Sequence, residues 1–215
     1  MDDDAARFDA RASAWDANPH RRKLARDIAA AMTAAGLFRK PLPEALDFGC
    51  GTGLLTLALA EHADQVTGLD TSAGMLAELS EKIRQAGLTN IAVLQADLAA
   101  GEPLPGHYDL IASAMALHHV ADPAAVLKRL WSAAKPGALL ALADLDSENG
   151  SFHEDKAGVY HNGFDRIDLA DMLAGIGFTG IDAATAATIE KPGKCGKCGA
   201  MASFTVFLMT ARKPD

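Results

Sequence analysis

Cysteine is scarce, with three in 215 residues, and that is too few for a disulfide framework. Two of them, Cys195 and Cys198, form a lone C-x-x-C knuckle, which supplies half of a four-ligand zinc shell. No second knuckle exists, so zinc would need a histidine or a second copy of the chain, and a homodimer stays open. The plainer alternative is a glycine-rich loop with incidental thiols, and no metal is the working expectation. No uninterrupted apolar run reaches ~18 residues, so neither a transmembrane helix nor a membrane partner is expected. The start, Met1-Asp2-Asp3-Asp4, is acidic where a secretory leader carries cations and an apolar core. Basic residues are outnumbered, 20 Lys and Arg against 28 Asp and Glu, for a net charge of -8 and a pI near 5.3. That balance disfavours nucleic acid, which asks for a basic face. Repeats and low-complexity tracts are lacking too. Reduced thiols in a cytoplasmic setting are the expectation.

What is present is apolar material, 49% of the residues, enough for the core of one domain. Residues 1–40 read as helical, with one helix expected over Asp9–Leu37, where Leu24, Ile28, Ala31 and Met32 share a face. Pro41 and Pro43 stop it. Residues 41–215 then alternate. Strands are expected at Ala45–Phe48, Gln65–Asp70, Ile91–Ala96, Tyr108–Ala112 and Ala138–Ala143. Helices are expected at Leu54–His62, from Ser72 to Ala86, at Pro123–Ala134 behind a capping Asp122, and at Asp165–Ile176. Two further strands, Ile181–Ile189 and Ser203–Thr210, are joined too closely for a parallel crossover and must pair antiparallel. The fold class is α/β: a doubly wound, mostly parallel seven-stranded sheet of Rossmann-like form, ending in an antiparallel hairpin.

The chemistry concentrates in Asp47-Phe-Gly49-Cys50-Gly51-Thr-Gly53, between the first strand and its helix. Glycines let the backbone approach a ligand, at the sheet edge where ligands of such folds sit. Asp70 ends the second strand, seventeen residues after Gly53, where a carboxylate can accept both hydroxyls of an adenosine ribose. A dinucleotide fingerprint wants glycine six positions into the loop, where Leu54 stands. Asp47 repels a pyrophosphate and attracts an ammonium or a sulfonium. S-adenosylmethionine is therefore favoured over NAD.

With these residues the sequence resembles the class I S-adenosylmethionine-dependent methyltransferases, nearest the branch of ubiquinone and menaquinone biosynthesis. Ala45–Ala60, Val66–Met75, Gln95-Ala-Asp97-Leu98, Tyr108–Val120 and Leu127–Leu145 look like their five motifs. The resemblance implies a cofactor set of Asp47, Gly49, Cys50, Gly51, Gly53, Asp70, Thr71, Met75, Asp97, Leu98 and Ala114. Asp70 would hold the ribose and Met75 would pack on the adenine, unless Met75 is a core residue. Asp97 would accept from the adenine amino group, the Leu98 amide would meet the ring, and the Ala114 carbonyl would receive the methionine ammonium. Phe8–Asp16 resembles the lid of small-molecule methyltransferases, so residues 1–40 are expected as a lid. Trp15 would then close on the acceptor or the sulfonium, or else pack the helix on the core.

Methyl transfer needs alignment and, for a protonated acceptor, a base. His118 is the first candidate base, with His119 and Met115 beside the acceptor. Phe152-His153-Glu154-Asp155 and Tyr160-His161-Asn162 add polar groups, with His153 and His161 as further catalytic candidates, although a solvated loop explains them equally. The function expected is methyl transfer to oxygen, nitrogen or sulfur of a small-molecule acceptor. The alternatives are a non-catalytic S-adenosylmethionine-binding module or partner subunit, and a nicotinamide oxidoreductase.

Overall fold

A computed structural model describes residues 2–192 and 201–215. Cys195 and Cys198 lie outside the described residues. Strands β1 (Leu42–Phe48), β2 (Ala63–Asp70), β3 (Ile91–Gln95), β4 (Tyr108–Ala114) and β5 (Ala134–Leu145) pair in parallel. β6 (Thr179–Pro192) and β7 (Met201–Arg212) close the sheet antiparallel, in the order β3-β2-β1-β4-β5-β7-β6. The strand order reverses direction between β1 and β4, and in such sheets the crevice outside the carboxyl ends at that point receives ligands.

Consecutive residues along the central strands fall into two different cores. Leu46, Ile111, Leu140 and Phe207 pack on one face with Val126 and Leu130 of α6 (Pro123–Ala133) and Leu173 of α7 (Arg166–Ile176). Ala45, Leu110, Ala141 and Leu208 pack on the other with Ile28, Met32, Leu55 and Leu59. A strand buried on both faces has to be apolar throughout, which is why β4 and β5 read as continuous apolar runs. Helix α5 (Ala73–Ala86) begins at Ser72, whose hydroxyl accepts from Met75 N at 3.1 Å, and α6 at Asp122, which accepts from Ala125 N at 3.0 Å. Such caps contribute about 1 kcal/mol each.

Three departures from the sequence expectation matter. The single N-terminal helix is three: α1 (Asp2–Asp9), α2 (Ala12–Trp15) and α3 (Pro19–Ala34). Asn18 caps α3 by accepting from His20 N at 2.9 Å, and Pro19 occupies the first turn, where its missing N–H costs nothing. The helix after the glycine bend, α4 (Leu54–Leu59), stops short of His62. Strand β5 starts at Ala134 and runs through Pro136-Gly137, with a register shift against Tyr108 and Leu110 absorbing the irregularity. Among the described residues no helix is long and apolar enough to cross a membrane.

Candidate active site

At the end of β1 the backbone bends through Gly49, Gly51 and Gly53, all at positive φ. At Gly51 a Cβ would meet nothing within 4 Å, because the residue faces a cavity of about 710 Å³, a size suited to a whole small ligand. A side chain there would fill the cradle. Asp70 accepts from Gly51 N at 2.8 Å through one oxygen and from Ser72 N at 2.9 Å through the other. Each oxygen keeps a lone pair for a ligand donor. Burial pushes its pKa above the usual carboxylate value. Asp47 lies beneath the bend, fully buried, and accepts from the Thr56 hydroxyl at 2.6 Å. Burial, with the Asp70 charge adding to it, lifts its pKa to about 7. Cys50 is buried and its thiol is pushed up by the same burial, so it stays protonated and unreactive.

Thr71, Met75, Asp97, Leu98 and Ala114 line the same cavity. Met75 and Leu98 are buried, and one Asp97 oxygen holds the following turn through Ala99 N and Ala100 N at 2.8 and 3.0 Å. Five carboxylates in all (Asp9, Asp47, Asp70, Asp97 and Glu102) face one guanidinium, that of Arg21. Such a wall suits a ligand with positive charge and hydroxyl donors and resists a pyrophosphate.

A second cavity of about 250 Å³ adjoins the first and shares Phe8, Trp15, Arg21, Leu24, Met115 and His119 with it. His118 lines only this smaller one. Its Nδ1 lies 2.6 Å from Asp144 Oδ1, both side chains are fully buried, and its Nε2 has no hydrogen-bond partner. Asp144 also accepts from His118 N and Leu145 N. In the tautomer that donates its Nδ1 hydrogen to Asp144, Nε2 presents a lone pair. The rings of His119 and His153 stand 4.2 and 5.0 Å from that of His118. Burial and the neighbouring histidines hold His153 down at about 4, so it is uncharged at neutral pH. Met115 has φ of +57, an uncommon value for a non-glycine residue and one that gathers at functional sites.

Residues 45–137 match the methyltransferase domain family, a segment that holds the bend, Asp70, Asp97 and both histidines after β4. A trans-aconitate 2-methyltransferase of Deinococcus radiodurans is 37% identical over 125 residues, 57% of this chain and 46% of that protein. A ubiquinone biosynthesis O-methyltransferase of Methylococcus capsulatus is 36% identical over 104 residues, 48% and 44% of the two chains. The solved DhpI–SAH complex superposes with a TM-score of 0.72 at 25% identity, covering 98% of this chain and 94% of that one. Residues 45–137 carry a methyltransferase domain, and over nearly its whole length the chain shares the fold of the DhpI–SAH complex. The alignments reach less than half the length of those two relatives.

Every proposed cofactor residue except Gly53 lines the larger cavity. Gly53 stands behind it, where a Cβ would come within 2.3 Å of Leu79. Trp15, Met115 and His119 sit where the cavities meet, and Trp15 packs against Phe8 with Arg21 over its ring at 3.6 Å to the centroid. His119 Nδ1 lies 2.6 Å from the Gly158 carbonyl. His161 lines neither cavity: it points its Nε2 at the Val120 carbonyl, 3.0 Å away, and stacks near Phe164. Among the described residues no trio of His, Cys, Asp or Glu is placed to hold a metal.

Sequence reasoning missed Asp144, Arg7, Arg11, Arg21 and Lys191. A lone carboxylate breaking the apolar run of β5 was the one available signal for Asp144.

Proposed function

We propose that this chain transfers the methyl group of S-adenosylmethionine to oxygen, nitrogen or sulfur of a small molecule. The observation that carries the reading is the meeting of an acidic, glycine-floored cavity with a smaller one lined by His118, whose other ring nitrogen is held by the buried Asp144. Asp70 would take the ribose hydroxyls and Asp97 the adenine amino group, with Gly49, Gly51, Thr71, Met75, Leu98 and Ala114 around them. When bound, S-adenosylmethionine supplies an electrophilic methyl on a positive sulfur, whose departure as a neutral thioether needs no acid.

The chain's own work is alignment, exclusion of water and removal of a proton. His118 Nε2 would take the proton that the acceptor atom loses on methylation. Asp144 steadies the imidazolium that results. His153 and His119 pack around the base, and residues 1–40 close over both ligands, with Trp15 on the shared wall.

Asp70→Ala removes the acceptor of the ribose donors in a buried setting and is expected to weaken S-adenosylhomocysteine affinity by at least ~10-fold in calorimetry. Unchanged affinity overturns the assignment of the cofactor cavity.

A further inference from the structure

The acidic cofactor cavity has a neighbour of opposite sign. Four permanent cations (Arg7, Arg11, Arg21 and Lys191) line the smaller cavity against one carboxylate, Asp155. This excess of positive charge sits in a molecule whose net charge is -8. Asp155 is already committed, since Arg7 and Arg11 both pair with it.

Arg21 and Lys191 are the cations left over. Among the described residues neither has a carboxylate within ion-pair distance. Arg21 comes from α3, where its guanidinium lies over Trp15 and donates to the Trp15 carbonyl at 3.1 Å. Lys191 comes from β6, where its ammonium lies 3.5 Å from the centroid of the Phe152 ring and donates to the Phe152 carbonyl at 2.9 Å. Burial lowers the pKa of both; at Arg21 the Arg11 charge adds to this and Asp16 opposes it, and at Lys191 Glu154 and Glu148 oppose the Arg21 charge. Neither glutamate lines the cavity. Two half-buried cations brought to one cavity by different elements repel one another unless an anion joins them.

One uncharged group adds to this. His153 Nε2 is buried without a partner, so the pocket holds an unused polar atom beside unused charge. We infer that the acceptor carries an oxyanion group, a carboxylate, phosphate or phosphonate, held by Arg21 and Lys191 while its methylated atom lies toward His118 Nε2. This rests on the methyl-transfer reading above and adds the substrate class to it. The oxyanion is a handle separate from the reacting atom: the atom beside His118 bears a proton, whereas the handle bears none.

The test titrates the protein, saturated with S-adenosylhomocysteine, with succinate, phosphonoacetate and the neutral succinamide by calorimetry. Either dianion is expected to bind at least ~10-fold more tightly than succinamide, with succinate against phosphonoacetate telling carboxylate from phosphoryl preference. Lys191→Met, which touches only the smaller cavity, is expected to cost dianion affinity at least ~10-fold while S-adenosylhomocysteine binds as before. Arg21→Met is expected to weaken the dianion likewise, and Arg21→Lys and Lys191→Arg, which keep the charge, to retain most of the affinity and guard against a folding defect. Equal binding of succinate and succinamide, no binding of either dianion, or wild-type dianion affinity in both methionine variants overturns the inference. Failure of the wild-type protein to bind S-adenosylhomocysteine overturns the methyl-transfer reading instead, so the two failures are distinguishable.

Discussion

A buried imidazole fixed at one nitrogen and bare at the other forgoes about 1–3 kcal/mol of hydrogen bonding. His118 is such a residue: Nδ1 is tied to Asp144 and Nε2 has no partner. Surroundings that tolerate this loss are those in which the bare nitrogen meets something the protein itself does not contain. His118→Asn keeps a donor for Asp144 and removes Nε2. Its kcat is expected to fall ~10²–10⁴-fold, the size of a general-base contribution, with S-adenosylhomocysteine affinity unchanged. A variant as fast as the wild type at every pH removes His118 from the mechanism. The histidine was legible in the sequence because it follows β4, where an acceptor pocket opens. Its partner was not. Asp144 lies 26 residues away and arrives only because Ala114 and Ala143 pair across β4 and β5, a register that no local pattern encodes.

The elements that cover the site are short and held at their ends. Helix α1 has eight residues and α2 four, lengths at which an isolated helix is unstable in water. Asp9 fastens α1 to α5 by accepting from the Ser72 hydroxyl at 2.5 Å and from Gly74 N at 2.7 Å, bonds that hold its carboxyl below the usual range. Asp16 fastens the end of α2 to the glycine bend by accepting from the Thr52 hydroxyl at 2.7 Å and by pairing with Lys82, which also donates to the Thr52 carbonyl at 2.6 Å. The N-terminal segment is thus latched to the glycine bend that floors the larger cavity. Asp16→Ala is expected to leave thermal stability nearly unchanged, since half-exposed pairs contribute ~1 kcal/mol or less. It should instead speed amide exchange over residues 2–18 and quicken S-adenosylhomocysteine release in stopped flow. Unaltered exchange and release would mean that the segment is not latched there. The sheet and its helices were readable from apolar period and turn residues, and Ser72 and Asp122 cap as their types suggest. The break in the N-terminal helix was also written, as Asn18-Pro19, but the alanine-rich stretch on either side reads as one continuous helix when only its apolar spacing is followed.

Across the whole molecule, charge is sorted by cavity, acidic around the larger one and basic around the smaller one. A net value cannot reveal this, because Arg7, Arg11, Arg21 and Lys191 are spread from the first helix to β6 and meet only in the fold. Asp47 shows what the sorting costs. Its carboxyl titrates near 3.9 in an unfolded chain and at about 7 in the fold. Between pH ~4 and ~7 the native state therefore keeps a proton that the unfolded state has released, so stability is lost as pH rises through that window and stays flat above it. Three pKa units set a ceiling of ~4 kcal/mol, and for a chain of this length each kcal/mol moves the melting temperature by ~2–4 °C. Asp47→Asn can still accept from Thr56 but has no charge to bury. It is expected to melt near the wild-type temperature at pH ~4.5 and at least ~4 °C above it at pH ~8, while binding S-adenosylmethionine more weakly, because the cation loses its buried counter-charge. Equal melting temperatures at the higher pH would show that the carboxylate is solvated in the folded protein, and the electrostatic account of the cofactor cavity would fall with it.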